Sequence, residues 1–148
     1  MESKEKALWC AQLALDKKAA DLVLLDVQQQ SSFTSYFIIC SGTSDRQVQA
    51  IAAHLEASCK QAGMRPLGIE GVREGRWVLL DYADVVIHIF HEPVREFYDL
   101  ERLWTDAQRI AVETVPEIQK TKSRSRTLSG PGKSKAQTAK SKKAVKTK

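Results

Sequence analysis

Nowhere in the 148 residues is there a run of about 18 apolar side chains, so the sequence has no candidate for a membrane-spanning helix. The opening Met1-Glu2-Ser3-Lys4-Glu5-Lys6 lacks a secretory apolar region and is too acidic for an organelle transit peptide, and a cytoplasmic protein is expected. Cysteine is scarce. Cys10, Cys40 and Cys59 are odd in number and show no Cys-x-x-Cys spacing, which argues against a disulfide framework and for three ordinary reduced thiols. Neither a Gly-x-Ser-x-Gly pattern nor a phosphate-loop Gly-Lys-Ser is present. Beyond Pro116 there is no aromatic residue, and beyond Glu117 no acid.

That last absence changes the meaning of the net charge of +5. Eleven of the 23 Lys and Arg lie in residues 120–148, leaving twelve against all 18 acids up to Glu117, a net of −6. An acidic domain over 1–116 is thus joined to a basic tail over 117–148. The tail is Lys, Ser, Thr, Ala and Arg around Gly130-Pro131-Gly132, has nothing to bury, and is expected to be disordered. Its eleven positive charges suit sequence-independent attraction to a nucleic acid, or simply solubility.

Within the acidic part, hydrophobic periodicity predicts a helix over 5–18, strands over 21–27 and 36–40, and a polar connection between them containing Ser31-Ser32-Phe33-Thr34. Ser44 followed by Gln47 is a capping-box pattern. It opens a helix carrying Val48, Ile51, Ala52, Leu55 and Cys59 at helical spacing, and Gly63 stops it. A short strand over 66–71 and a polar turn over 72–75 lead to strands over 77–80 and 85–90, joined by Asp81-Tyr82-Ala83-Asp84. Pro93 then begins a last helix that runs to Trp104. The expected fold is a single α/β domain whose mixed five-stranded sheet is flanked by helices, with residues 36–71 forming a strand–helix–strand crossover.

Two stretches invite a chemical reading. Ser41-Gly42-Thr43-Ser44-Asp45 follows a strand and opens a helix, where backbone amides can hold a phosphate and Arg46 can face it. A nucleotidyltransferase-like enzyme built on Gly42, Ser44, Asp45 and Asp81 is therefore one reading, although Arg46 stands where a second carboxylate is wanted. The bland alternative is a capped helix after a tight turn. His88 and His91 point to opposite faces of a strand and cannot share an ion, and His91-Glu92-Pro93-Val94-Arg95 matches a zinc-protease motif for two residues only, so no metal and no cofactor are expected. His54 is placed on the exposed side of its helix, and Arg95, Asp99 and Arg102 are spaced for solvated ion pairs.

The strands over 77–81 and 85–90 say more. Val78, Leu80, Val85, Ile87 and Ile89 form one aliphatic face that reads as core. Trp77, Leu79, Asp81, Val86, His88 and Phe90 form the other, a blend of aromatic anchors and polar groups found at interfaces, unless a helix of the same chain covers it. The same aromatic face also offers a surface on which two copies could pair into a homodimer.

Several long motifs then agree in unbroken order from about residue 5 to 110: Asp26-Val27, Ser31-Ser32-Phe33-Thr34, the run 36–45, Arg65-Pro66-Leu67-Gly68-Ile69-Glu70-Gly71, the run 77–88, and Arg95-Glu96-Phe97-Tyr98-Asp99-Leu100-Glu101-Arg102-Leu103-Trp104. In these the chain resembles the ribosomal silencing factor family, also called RsfS or Iojap-like. The resemblance implies a fold related to nucleotidyltransferases without their chemistry, and hence no enzyme and no catalytic residue. It also implies binding to the large ribosomal subunit through ribosomal protein L fourteen. That would block joining of the small subunit and lower translation when nutrients are scarce. Interface residues expected on this basis are Trp77, Leu79, His88 and Phe90 as the apolar patch, Asp81 and Glu92 as rim charges, and Tyr98 and Trp104 from the final helix.

Overall fold

A computed structural model describes residues 1–112. In chain order its elements are Ser3–Asp16 (α1), Ala20–Asp26 (β1), Tyr36–Gly42 (β2), Asp45–Gln61 (α2), Gly68–Glu70 (β3), Trp77–Asp81 (β4), Val85–His91 (β5), Glu92–Tyr98 (α3), a 3-10 segment Leu100–Trp104, and Gln108–Ile110 (β6). The strands make one sheet in the order β3-β4-β5-β2-β1-β6. Only β2 and β5 run parallel; the other pairs are antiparallel.

β2 is buried along its whole length. Its Tyr-Phe-Ile-Ile-Cys run is apolar on both sides because both sides of the central strand are covered. On one side lie α1 and α2. The Ser44 hydroxyl accepts from the Gln47 amide at 3.1 Å and caps α2 as its sequence pattern predicts, and Val48, Ile51, Ala52, Leu55 and Cys59 are its buried stripe. α1 turns its smallest residues inward. Its fully buried residues are Ala7, Cys10, Ala11 and Ala14, whose small side chains let the helix come close, while Leu8, Trp9 and Leu13 pack at its flanks. Asp84, in the turn between β4 and β5, ties α1 down: Ser3 Oγ donates to it at 2.5 Å and Lys6 Nζ at 2.7 Å.

Three expectations need correction. The sheet has a sixth strand, β6, paired with Leu24, Leu25 and Asp26 of β1; three residues with only Ile110 partly buried are too short to show a period. The strand that returns parallel to β2 is β5, whereas β3 lies at the sheet edge. The last helix is also broken. α3 ends at Tyr98, Asp99 adopts a left-handed conformation (φ 47°), and the chain resumes as the 3-10 segment. Aspartate tolerates that backbone better than most residues. The break changes the ion pairing: Arg95 grips Glu101 through Nε and Nη2, both at 3.0 Å, and donates to Ser41 Oγ through Nη1 at 2.8 Å. Six residues apart on an unbroken helix, Arg95 and Glu101 would lie about 120° from each other on the helix surface and could not meet. Asp99 instead meets Arg102 at 3.9 Å in solvent. The boundary expected near Pro116 and the basic tail lie outside the described residues.

Candidate functional site

The two faces of the sheet finish differently. Val78, Leu80, Val85, Ile87 and Ile89 are fully buried beneath α1 and α2. The opposite face carries Leu25, Phe37, Ile39 and Phe90 at its centre, with Trp77, Val86, Val94, Leu100 and Trp104 only partly buried around them. α3 and the 3-10 segment are too short to roof it, so a helix of the same chain covers part of this face and leaves the rest open.

Trp77 is the hub. Gly71, at φ +83°, shapes the turn that delivers it; a Cβ there would sit 2.0 Å from the Trp77 carbonyl oxygen, so no other residue fits. The indole packs against Phe90 and Tyr98, with ring centroids 4.8 and 4.9 Å away, and donates its Nε1–H to His88 Nδ1 at 3.1 Å. Phe37 continues the band, edge-on to His88 at 5.1 Å and to Trp104 at 4.8 Å. Between these rings and the 30–34 loop lies a groove of about 670 Å³, floored by Phe37, Leu79, Val86 and His88 and bordered by Phe33, Leu67, Asp81 and Trp104. A second depression of about 360 Å³ lies beside Trp77, between Pro93, Phe97 and Tyr98.

Of the expected interface residues, the groove brings together Leu79, Asp81, His88 and Trp104, and the smaller depression holds Trp77 and Tyr98. Phe90 and Glu92 are placed otherwise. Phe90 is fully buried under Trp77 and presents no surface, so its part is to support the indole. Glu92 lines a separate polar depression with Asp21, Arg95, Glu96 and Asp99, away from the groove. His88 is only 5 % exposed, and burial lowers its pKa to about 4, so the ring is neutral at ordinary pH. His54, expected in solvent, is half-buried, and its Nε2 has no partner among the described residues.

The face also contains residues that the sequence pattern did not single out: Phe33, Leu67 and Phe97, exposed by 91, 75 and 80 %. The signal for Phe33 was available, a lone aromatic in a polar loop. Ser31 Oγ accepts from the amides of Phe33 and Thr34, at 3.1 and 3.3 Å, and that turn holds the ring outward.

The geometry separates the residues of the nucleotidyltransferase-like reading. Gly42 is in register with His91 at one end of the sheet, while Asp81 pairs with Val86, itself opposite Phe37, at the other. Five residues of strand, roughly 16 Å, lie between. At the loop, Gln47 Oε1 already accepts from the Thr43 amide and hydroxyl at 2.7 and 2.8 Å. No group of three His, Cys, Asp or Glu placed to hold a metal ion occurs among the described residues. The structure thus favours the capped-helix reading of this loop.

The family model described as "Ribosomal silencing factor during starvation" matches residues 1–146. The chain belongs to the ribosomal silencing factor family. A ribosomal silencing factor of Bacillus subtilis is 47 % identical over 92 residues, 62 % of this chain and 78 % of that protein. A mouse relative, "Mitochondrial assembly of ribosomal large subunit protein 1", is 36 % identical over 114 residues, covering 71 % of this chain and 50 % of the mouse protein. A crystal structure of a Chromobacterium violaceum protein superposes with a TM-score of 0.70 at 34 % identity, covering 79 % of this chain and 97 % of the other. Family membership and the mixed α/β fold therefore agree with the resemblance read from the motifs. Among the described residues, no helix is long and apolar enough to cross a membrane.

Proposed function

We propose that the chain is a translational repressor of the cytoplasm rather than an enzyme. It binds the large ribosomal subunit through ribosomal protein L fourteen, using the aromatic face around Trp77 and the groove beside it, and blocks joining of the small subunit when nutrients are limiting. The half-roofed aromatic face carries this reading. It combines a pre-set indole anchor, exposed apolar side chains and few charges, the composition of a binding hot spot. An acidic domain suits a basic ribosomal partner: long-range attraction speeds encounter, and the desolvated aromatics set the residence time. Both the Bacillus subtilis and the mouse relatives carry ribosomal names, which supports the same target class. The basic stretch 120–148 adds sequence-independent contact with ribosomal RNA.

Sedimentation of the full chain with isolated large subunits, followed by addition of small subunits, tests the mechanism. Co-migration with the large subunit and fewer intact ribosomes is the expected result. Free subunit joining without co-migration would sink it. Removing residues 120–148 is expected to flatten the salt dependence of binding, and an unchanged slope would eliminate the RNA contact.

A further inference from the structure

The two ring nitrogens of His88 are in different states. Nδ1 accepts the Trp77 indole N–H at 3.1 Å, so it keeps its lone pair and the proton of the neutral ring sits on Nε2. Nε2 is buried and has no hydrogen-bond partner among the described residues. An orphaned buried donor forfeits the hydrogen bond it makes to water in the unfolded chain, a cost that a phenylalanine at this position would not carry. The orphan belongs to a side chain on the floor of the groove, beside Phe37, Leu79 and Val86.

We propose that the His88 Nε2–H is a recognition donor, and that the protein segment which settles in the groove supplies a backbone carbonyl to accept it. This rests on the groove's being the ribosome-facing site. A carbonyl fits better than a carboxylate because Asp81 stands at the groove edge and repels a second negative charge, while lysine or arginine side chains of a basic partner answer Asp81 itself. Reaching Nε2 takes a side-chain adjustment around the groove, a common event on association. One histidine then serves two purposes. Its Nδ1 fixes the Trp77 anchor, and its Nε2 selects a partner backbone lying at one depth and register.

Two substitutions separate these purposes. His88→Asn places an amide oxygen near Nδ1 and keeps an acceptor for Trp77, but it offers the groove no donor at Nε2. His88→Gln places an amide nitrogen near Nε2 and keeps that donor. Both are compared with the unaltered full chain for affinity to isolated large subunits, after cooperative melting shows them folded. The expected result is a loss of about tenfold for His88→Asn, the scale of one lost hydrogen bond, and a smaller loss of at most about threefold for His88→Gln. Equal affinity of His88→Asn and the unaltered chain, or equal losses in both variants, would overturn the donor role. Failure of the unaltered chain to bind large subunits would instead overturn the site assignment, and this inference with it. Should either variant fail to fold, the unaltered chain labelled with 15N-histidine answers the question. The Nε2–H proton resonance should move downfield on saturation with isolated ribosomal protein L fourteen, and an unmoved resonance would overturn the inference.

Discussion

The two faces of one sheet, drawn from alternate residues of the same strands, have different jobs. Under α1 and α2 the central strands bury Ile38, Val78, Leu80, Val85, Ile87 and Ile89 completely, so that face serves stability. On the other side, seven residues of α3 and a five-residue 3-10 segment leave Trp77, Leu79, Val86 and Trp104 half open and Phe33 and Leu67 standing in solvent. The difference teaches that roofing, rather than hydrophobicity, distinguishes a core from a binding face. Both faces are apolar, and only one has enough helix to close it.

Mutations that break the comparison should separate stability from binding. The largest effect is expected on the sealed face. Leu80→Ala should destabilise the fold by about 2–5 kcal/mol in a urea titration, through lost transfer energy and a cavity, while the fraction that remains folded keeps its affinity for the large subunit. Next comes acid, which acts on the open face through His88. Its folded pKa of about 4 lies below the ordinary 6.5, so the unfolded chain binds the extra proton between those values. Stability is therefore complete above pH 6.5 and falls as pH drops toward 4, by roughly 3 kcal/mol in all. Urea midpoints measured across that window should show the slope, and His88→Phe should flatten it. Below it Asp84 contributes separately. Burial raises its pKa, but the bonds from Lys6 and Ser3 outweigh that and hold it under its usual 3.8. Glu101 is held under 4.5 by Arg95. Both contributions are lost as pH falls further.

Trp77→Ala comes third. Truncating the anchor should weaken large-subunit binding by about 2 kcal/mol or more, and a change under about 0.5 kcal/mol with the fold intact would remove it from the site. The smallest effect sharpens the comparison most. Leu67→Ala touches a side chain already 75 % exposed and should alter stability by no more than about 0.5 kcal/mol, yet measurably reduce affinity. A stability loss like that of Leu80→Ala would show the groove to be core after all.

Much of this was legible in the sequence because the signals are local. Ser44, Gln47 and the Val48–Leu55 stripe define α2 without reference to the rest of the chain, and the alternation across β4 and β5 separates the aliphatic set from the aromatic one. What stayed hidden depends on partners distant in sequence. The break at Asp99 follows no local rule strong enough to stop a helix containing Phe97, Leu100 and Trp104. The tertiary structure shows it, in Arg95 held between Ser41 of β2 and Glu101. Phe90 has the same periodicity as Trp77 and looked equally available, but strand register places it under the indole. Glu92 sits near the aromatic residues in sequence, and α3 carries it to the polar depression with Asp21 and Glu96.

The sequence by itself determined α1, α2 and the strands β1 to β5, the alternation of faces along β4 and β5, and the concentration of basic residues after Glu117. Each is a property of composition or of spacings under about four residues, where backbone geometry alone imposes the relation. Only the tertiary structure decided that β5 would lie parallel to β2, that the Gly42 loop and Asp81 would stand at opposite ends of the sheet, and that one ring nitrogen of His88 would be paired and the other not. Those outcomes depend on packing between residues eleven or more positions apart. A buried hydrogen bond is made or missed by an ångström of placement, which no local pattern encodes.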